Sequence, residues 1–535
     1  MRWHTYARQP AWQRAAMELL QATLLIFLCA VALCWVARRF NFPYPIALVI
    51  GGGVLGFIPL APQLAFDPEL ILALVLPPIL YQAAMLTSWR DFALGIRTIG
   101  LLAIGLVVVT TLAVGAALKF LLPDIPWAAA FAFGAIVSPP DAVAATAILS
   151  RMNIPRRVVT VLEGESLVND AAGLVLYKFA VAAVLTGTFS LLDASLQFAG
   201  VALGGIALGV VTGLAFIVIH RKLGDVFIEV LTSLLVPYMA YVFAESVHAS
   251  GVLAVVAAGL VRGRHAPVVV SAQMRILSRS LWNVLVFSLN TLVFMLIGMQ
   301  LSESVARLGG VSAGRLLADG ALLSAVAIAV RFGWVYAALY LPSRLAALLR
   351  PGAPPPPESE YFIMSWCGMR GIVSLAAALA LPASLADGTP FPSRDVIILF
   401  TFAVIAATLV LQGLSLPVLI RRLRVGTDWS LRQEQENARN AMSTAAIAAI
   451  AALARGEGIA PELAGRISAE FAEKNVAGDA DASVTEEHAS LARRLRDAAI
   501  NAERQALIRI WRESQISDDV LRKFEEQLDY KESHL

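Results

Sequence analysis

The chain has 535 residues, of which 58% are hydrophobic and 15% charged, with a mean hydropathy of +0.72 and a net charge of +3. A soluble domain carries about 45–50% apolar and about 25% charged residues, so the composition excludes a water-soluble globule and indicates a polytopic membrane protein. Cys29, Cys34 and Cys367 sit in apolar runs, and none of the six histidines falls mid-span. A disulfide framework, a histidine-built metal centre, a cofactor and a nucleic-acid partner are therefore not expected.

Residues 1–16 are polar and carry Arg2, Arg8 and Arg14. The apolar run 17–37 is long for a signal-peptide core and lacks a small-residue cleavage site before Arg38, so it reads as an uncleaved first span. At about 20 residues per span, thirteen candidates follow, at approximately 17–37, 43–60, 68–87, 98–120, 126–148, 160–186, 196–219, 226–246, 249–262, 281–301, 317–341, 361–382 and 395–420. The predicted transmembrane region is thus 17–420. The fold class is all-α and polytopic.

Lys and Arg in the loops set the orientation. Alternate loops hold Arg38 and Arg39; Arg90 and Arg97; Arg151, Arg156 and Arg157; Arg221 and Lys222; Arg262, Arg264, Arg275 and Arg279; and Arg344 and Arg350. The intervening loops hold only Arg307, Arg315 and Arg394, with Lys119 near one edge. The rich loops are assigned to the cytoplasm, which puts the N-terminus outside and the tail inside. The three N-terminal arginines run against this, and the six-loop alternation outweighs them.

The seventh span carries Gly200, Gly204, Gly205, Gly209 and Gly213, a spacing that indicates close helix packing. Pro354–Pro357 form a stiff connector. After Ile420 the composition turns charged and helix-forming, so 421–535 reads as a cytoplasmic helical tail with a dimerising, stabilising or regulatory role. Within it Ser517 is placed to N-cap a helix that opens with Asp518 and Asp519, with Ile516 and Leu521 as a hydrophobic staple.

The polar stretch Glu163-Gly164-Glu165-Ser166-Leu167-Val168-Asn169-Asp170 opens the apolar run Ala171–Leu185. Ionisable groups at bilayer depth cost several kcal/mol, so they face a bundle interior or a water-filled cavity. On a helix Ser166 and Asp170 share a face, with Glu163 and Asn169 to either side. Such a face of oxygens suits a hard cation or a proton. For Glu163 and Glu165 the alternative is a solvated position at the membrane edge; Asp170 lies deepest.

Two further spans are interrupted. Ser138-Pro139-Pro140-Asp141 breaks the fifth, because proline removes a donor and clashes with the preceding turn. Trp366-Cys367-Gly368-Met369-Arg370-Gly371 puts two glycines around a buried arginine in the twelfth. Broken helices of opposite direction in corresponding halves point to a transporter with inverted repeats and a midplane site. Asp141 would offset positive half-helix ends there, and Arg370 the negative ones. Arg370 needs a carboxylate partner, with Glu165 the first choice and Glu163 the second. Arg331, midway along the eleventh span, needs a partner that the sequence does not name.

Together these stretches resemble the monovalent cation/proton antiporter family that holds the bacterial NhaP-type sodium/proton antiporters and the eukaryotic sodium/proton exchangers. The resemblance rests on Leu76-Pro77-Pro78-Ile79-Leu80-Tyr81, Ser138–Ala144, Leu162–Ala171, Ser250-Gly251-Val252-Leu253-Ala254-Val255, Ile297-Gly298-Met299-Gln300 and Trp366–Ala377. It implies two crossed discontinuous helices, alternating access and a homodimer in the plasma membrane. It further implies that Asp170 carries cation or proton, that Ser166, Asp141 and the Pro140 carbonyl contribute to the site, and that Asn169-Asp170 marks an electroneutral exchanger. In the same comparison Glu165 and Arg370 form a structural ion pair. The chain departs from the family pattern at Pro140, where a threonine is common, and at Gln82, where NhaP-type members often have glutamate. An amide can coordinate a cation but cannot carry a proton.

The expected function is sodium/proton antiport, with potassium/proton exchange as the nearest rival. A gated cation channel would need a continuous polar pore, whereas the polar groups concentrate at one depth. An intramembrane hydrolase using Glu163 and Glu165 lacks metal-ligand histidines or a Ser/His pair, so no enzyme is expected.

Overall fold

The computed structural model describes residues 11–40, 42–58, 68–149, 152, 154–187, 191–307, 313–349, 355–385, 388–423, 425, 429–472 and 486–534. Arg2, Arg8, Arg151, Arg350 and Pro354, used above, lie outside them. The described residues are helical apart from short connections and one isolated bridge between Ser384 and Pro390.

The helices run in order as α1 (Ala11–Arg39), α2 (Tyr44–Gly56), α3 (Pro68–Leu86), α4 (Trp89–Gly100), α5 (Val107–Leu121), α6 (Trp127–Val137), α7 (Ala142–Leu149) and α8 (Arg156–Thr186). Next come α9 (Leu191–Leu223), α10 (Val226–Ser246), α11 (Gly251–Val269), α12 (Ala272–Arg307), α13 (Ala313–Val335) and α14 (Leu341–Leu349). Then follow α15 (Glu358–Trp366), α16 (Ile372–Leu379), α17 (Arg394–Leu423), α18 (Trp429–Glu457), α19 (Pro461–Ala472), α20 (Glu486–Arg512) and α21 (Asp518–Ser533). Among the described residues, eight helical stretches are long and apolar enough to cross a membrane, and α2, α6 and Ala73–Leu86 are shorter apolar helices.

Local chemistry accounts for many of these boundaries. Helices α2, α6, α8 and α15 begin directly after Pro43, Pro126, Pro155 and Pro357. Proline's fixed φ suits helix entry, and its missing N–H is not needed there. Helix α8 ends on Gly187 at φ +70°, a left-handed cap that glycine adopts without strain. A π-helical turn, Leu101–Leu106, joins α4 to α5. There the Leu101 carbonyl accepts from Trp334 Nε1 at 2.9 Å.

The chain forms two compact units. The first comprises Met1–Phe216, Leu234–Arg262 and Asn283–Gly426; the second comprises Ile217–Ser233, Gly263–Trp282 and Thr427–Leu535. The predicted division at residue 421 takes no account of the four helix ends that join the second unit: the end of α9, the start of α10, the end of α11 and the start of α12. In the first unit the glycines of α9 lie on α11. A Cβ at Gly205 or Gly209 would come within 2.5 Å or 2.2 Å of the carbonyls of Ser250 and Ala254. The small-residue spacing is therefore a packing surface. Another close crossing joins α2 to α12, where a Cβ at Gly52 or Gly298 would meet main-chain carbonyls at 2.3 Å and 2.2 Å.

The second unit has its own apolar core of Ala438, Met442, Ile500, Leu507, Ile516, Val520, Leu521, Phe524 and Leu528. Ser517 caps α21, accepting from Val520 N at 3.4 Å, and Ile516 and Leu521 are both buried in this core. Charges reinforce it. Asp529 accepts from Arg275 Nε at 2.8 Å and Nη2 at 2.5 Å, and from Arg504 at 2.9 Å, while Arg279 pairs with Glu526 at 2.9 Å.

Candidate functional site

The two interruptions meet in the first unit. Helix α6 stops at Val137, and α7 restarts after Ser138-Pro139-Pro140-Asp141. Helix α15 stops at Trp366, and α16 restarts after Cys367–Gly371. One hydrogen bond joins the breaks directly: Asp141 N donates to the Met369 carbonyl at 2.7 Å. A Cβ at Gly371 would fall 1.7 Å from Asp141 Oδ2, so the carboxylate rests on the glycine backbone.

Each break exposes helix ends of both signs. Asp141 Oδ1 accepts from Val143 N at 2.8 Å, in the first turn of α7. Arg370 serves the opposite ends. Its Nε donates to the Val137 carbonyl at 2.8 Å, at the last residue of α6, and its Nη1 donates to the Gly368 carbonyl. Its own backbone N–H donates to Thr408 Oγ1 of α17 at 3.1 Å.

The expected Glu165–Arg370 ion pair is therefore corrected. Glu165 pairs with Arg331 of α13 through two hydrogen bonds of 2.5 Å and 2.7 Å, and both side chains are 1% exposed. Arg331 Nε also donates to the Met364 carbonyl at 3.1 Å, near the end of α15. Two parallel bonds to one carboxylate and a third to a carbonyl suit a guanidinium fork. Arg370 needs no carboxylate because it neutralises helix C-termini, where aligned carbonyls carry partial negative charge.

Helix α8 brings its polar stretch to the breaks. Asn169, fully buried, donates from Nδ2 to the Pro140 carbonyl at 3.0 Å. That carbonyl keeps a second lone pair. A Cβ at Gly173, one turn on, would come within 2.4 Å of the Pro139 ring, so the glycine lets the break settle on the helix. Asp170 is 7% exposed and lies within electrostatic range of Asp141. Two buried oxygens here have no hydrogen-bond partner: Asp141 Oδ2 and Asn169 Oδ1. Ser166, half-buried, lies one helical turn before Asp170.

The remaining predicted residues are placed elsewhere or more loosely. Glu163 is half-buried on α8. Gln82 Nε2 donates to Asn283 Oδ1 of α12 at 3.0 Å, so its amide ties two helices. Thr408 and the carbonyls of Val137, Met364 and Met369 were not anticipated. Carbonyls carry no side-chain signal, and a buried threonine on a helix usually bonds its own backbone, as Thr408 also does to Val404 at 2.7 Å. No cluster of three or more His, Cys, Asp or Glu suited to a resident metal occurs among the described residues.

A helical membrane protein with two touching helix breaks, the half-buried Asp141 and the buried Asp170 at them, and buried oxygens without a hydrogen-bond partner has the architecture of an ion-coupled secondary transporter. Comparison with known proteins places it more closely. The sodium/hydrogen exchanger transmembrane family model matches residues 24–422, and the chain belongs to that family. It is 34% identical over 507 residues to an uncharacterised sodium/proton exchanger of Mycobacterium tuberculosis, covering 93% of each chain. It is 35% identical over 418 residues to a sodium, potassium, lithium and rubidium/proton antiporter of Bacillus pumilus, covering 75% of this chain and 61% of that one. The sodium/proton antiporter MjNhaP1 of Methanocaldococcus jannaschii shares the fold with a TM-score of 0.59 at 19% identity, over 76% of this chain and 99% of that one.

Proposed function

We propose that Asp170 is the carrier group of a sodium/proton antiporter, binding one proton or one sodium ion in alternation. The observation that carries this reading is the pair of unpaired buried oxygens, Asp141 Oδ2 and Asn169 Oδ1, beside Asp170 where the breaks meet. A buried oxygen without a donor is costly, and a sodium ion binds such oxygens readily. Ser166 and the second lone pair of the Pro140 carbonyl complete the ligand set. Asp141 stays ionised, held at the start of α7. Neutralising Asp170 with either ion lets the core cross an apolar barrier, so each half-cycle moves one positive charge and the full cycle moves none.

The protein works as a homodimer in the bacterial plasma membrane, with the tail in the cytoplasm and the N-terminus outside, and contributes to pH homeostasis. Potassium/proton exchange is the second reading, favoured by the ion range in the name of the Bacillus pumilus relative. Proton movement in reconstituted vesicles, with sodium, lithium, potassium and choline added in turn, tests both. A response to sodium but not choline is expected. A potassium-only response would change the ion and keep the site, and no cation-driven response would reject the reading.

A further inference from the structure

Gln412 of α17 is fully buried, and neither atom of its amide has a hydrogen-bond partner. Its position is fixed by neighbours on the same helix. Four residues earlier, Thr408 accepts from Arg370 N at 3.1 Å. Three residues later, Ser415 Oγ accepts from Trp366 Nε1 at 2.9 Å. Residues 408, 412 and 415 share one helix face. At 1.5 Å per residue, Gln412 stands about 6 Å along the axis from Thr408 and about 4.5 Å from Ser415. Gln412 therefore lies on the helix face that meets the broken stretch between Trp366 and Arg370. Met369 borders the same region: its sulfur lies 3.6 Å from the position of a Cβ on Gly413.

That stretch is where α15 ends, and a helix end leaves its last four carbonyls without continuing helical partners. Those of Ile363, Met364 and Trp366 accept from Cys367 N at 2.9 Å, Arg331 Nε at 3.1 Å and Gly368 N at 2.8 Å. The fourth belongs to Ser365. A buried amide with no partner is costly, and a buried water offers it two to four hydrogen bonds. Broken backbone at membrane depth is stable only where protein or water satisfies it.

We propose that Gln412 holds a bound water against the C-terminal end of α15, so that water completes the hydrogen bonding of the break on its α17 side. Gln412 is then a positioning residue. It steadies the backbone that presents Met369 O to Asp141 and Arg370 to the ends of α6, without touching the transported ion. The inference does not depend on which cation is carried.

Millisecond X-ray radiolysis of the full-length protein in lipid nanodiscs tests it, because hydroxyl radicals formed from a bound water oxidise the side chains beside it. Met369 is fully buried, so bulk radicals do not reach it; Tyr530, 66% exposed in the tail, reports the dose. Expected are strong labelling of Met369 in the wild type, at least fivefold less in Gln412→Leu, and retained labelling in Gln412→Asn, which keeps an amide. Gln412→Leu should also lower the maximal transport rate about tenfold, the size of one lost buried hydrogen-bond partner, with the KM for sodium changed less than twofold. An unlabelled Met369 in the wild type overturns the proposal before any variant is made. Equal labelling in wild type and Gln412→Leu overturns it as well.

Discussion

Glu165 and Arg331 form a doubly hydrogen-bonded ion pair in which both side chains are 1% exposed. Removing one partner of such a pair strands the other charge and typically costs about 3–5 kcal/mol. Arg331→Ala should therefore lower the melting temperature of the detergent-solubilised protein sharply. Adding Glu165→Ala should restore part of the loss. The same Glu165→Ala change should not rescue Arg370→Ala, because Arg370 serves the Val137 and Gly368 carbonyls. Rescue of Arg370 and not of Arg331 would reverse the assignment.

Asp170→Asn should abolish exchange while leaving the protein folded, because an amide cannot cycle a proton. Size-exclusion profile and thermal stability report the fold, and sodium-driven proton movement in vesicles reports the function. Exchange at the wild-type rate would remove Asp170 from the carrier role.

Charge counting at the site predicts a rate insensitive to membrane potential. Glu165 is neutralised by Arg331, Asn169 does not titrate, and on the proposed reading Asp141 keeps its charge, so that Asp170 alone changes charge. Vesicle potential can be clamped with potassium and valinomycin, once potassium is shown not to be transported. A sodium/proton rate that varies steeply with voltage would identify a second titrating group, with Asp141 the first to test.

Gly371→Ala should abolish or strongly reduce transport. Its Cβ would fall 1.7 Å from Asp141 Oδ2, so either the carboxylate or the junction between the breaks must move. Gly200→Ala on α9 is the control, since a Cβ there meets nothing within 4 Å. It should leave transport unchanged, and alanine favours the helix by about 1 kcal/mol over glycine. Equal rates in the two variants would show that the Gly371–Asp141 contact is not needed.

The C-terminal unit should loosen as pH rises. Glu525 is 3% exposed, and burial pushes its carboxyl above the ordinary value of 4.5, against the opposing pull of Arg275, Arg504 and Arg279. Burial likewise raises Glu503, with Lys531 pulling it down. A carboxyl raised in the folded state holds its proton more tightly there than in the open chain. Stability is therefore highest at low pH and falls as pH climbs from about 4.5 through the raised range. Hydrogen exchange of α21 measures this, and Glu525→Gln should raise its protection at pH 8 and flatten the slope. Protection that increases with pH in the wild type would contradict the sign.

Several features were legible in the chain before any tertiary structure. The break after α6 follows from Pro139 and Pro140, which cannot supply helical N–H groups, and the break after α15 from the glycines around Arg370. The cap at Ser517 and the packing glycines of α9 were equally plain, since both are local chemistry with fixed spacing. The negative helix ends at Arg370 were anticipated too, though together with a carboxylate partner, Glu165, that the fold gives to Arg331 instead.

Pairings between distant residues were decided only by the fold. Two buried arginines were candidates for a carboxylate, and the outcome depends on the fold bringing Arg331 of α13 to Glu165 of α8, 166 residues apart in sequence. Gln82 and Asn283 meet across 201 residues, and Thr408 meets Arg370 across 38. The sequence places Arg275 in a cytoplasmic loop but does not say that it pairs with Asp529 of the tail, 254 residues on. Helix breaks and caps arise from backbone groups a few residues apart, so the order of residues determines them. The partner of a buried charge is set by which helices pack side by side, and that choice minimises stranded charge over the whole bundle.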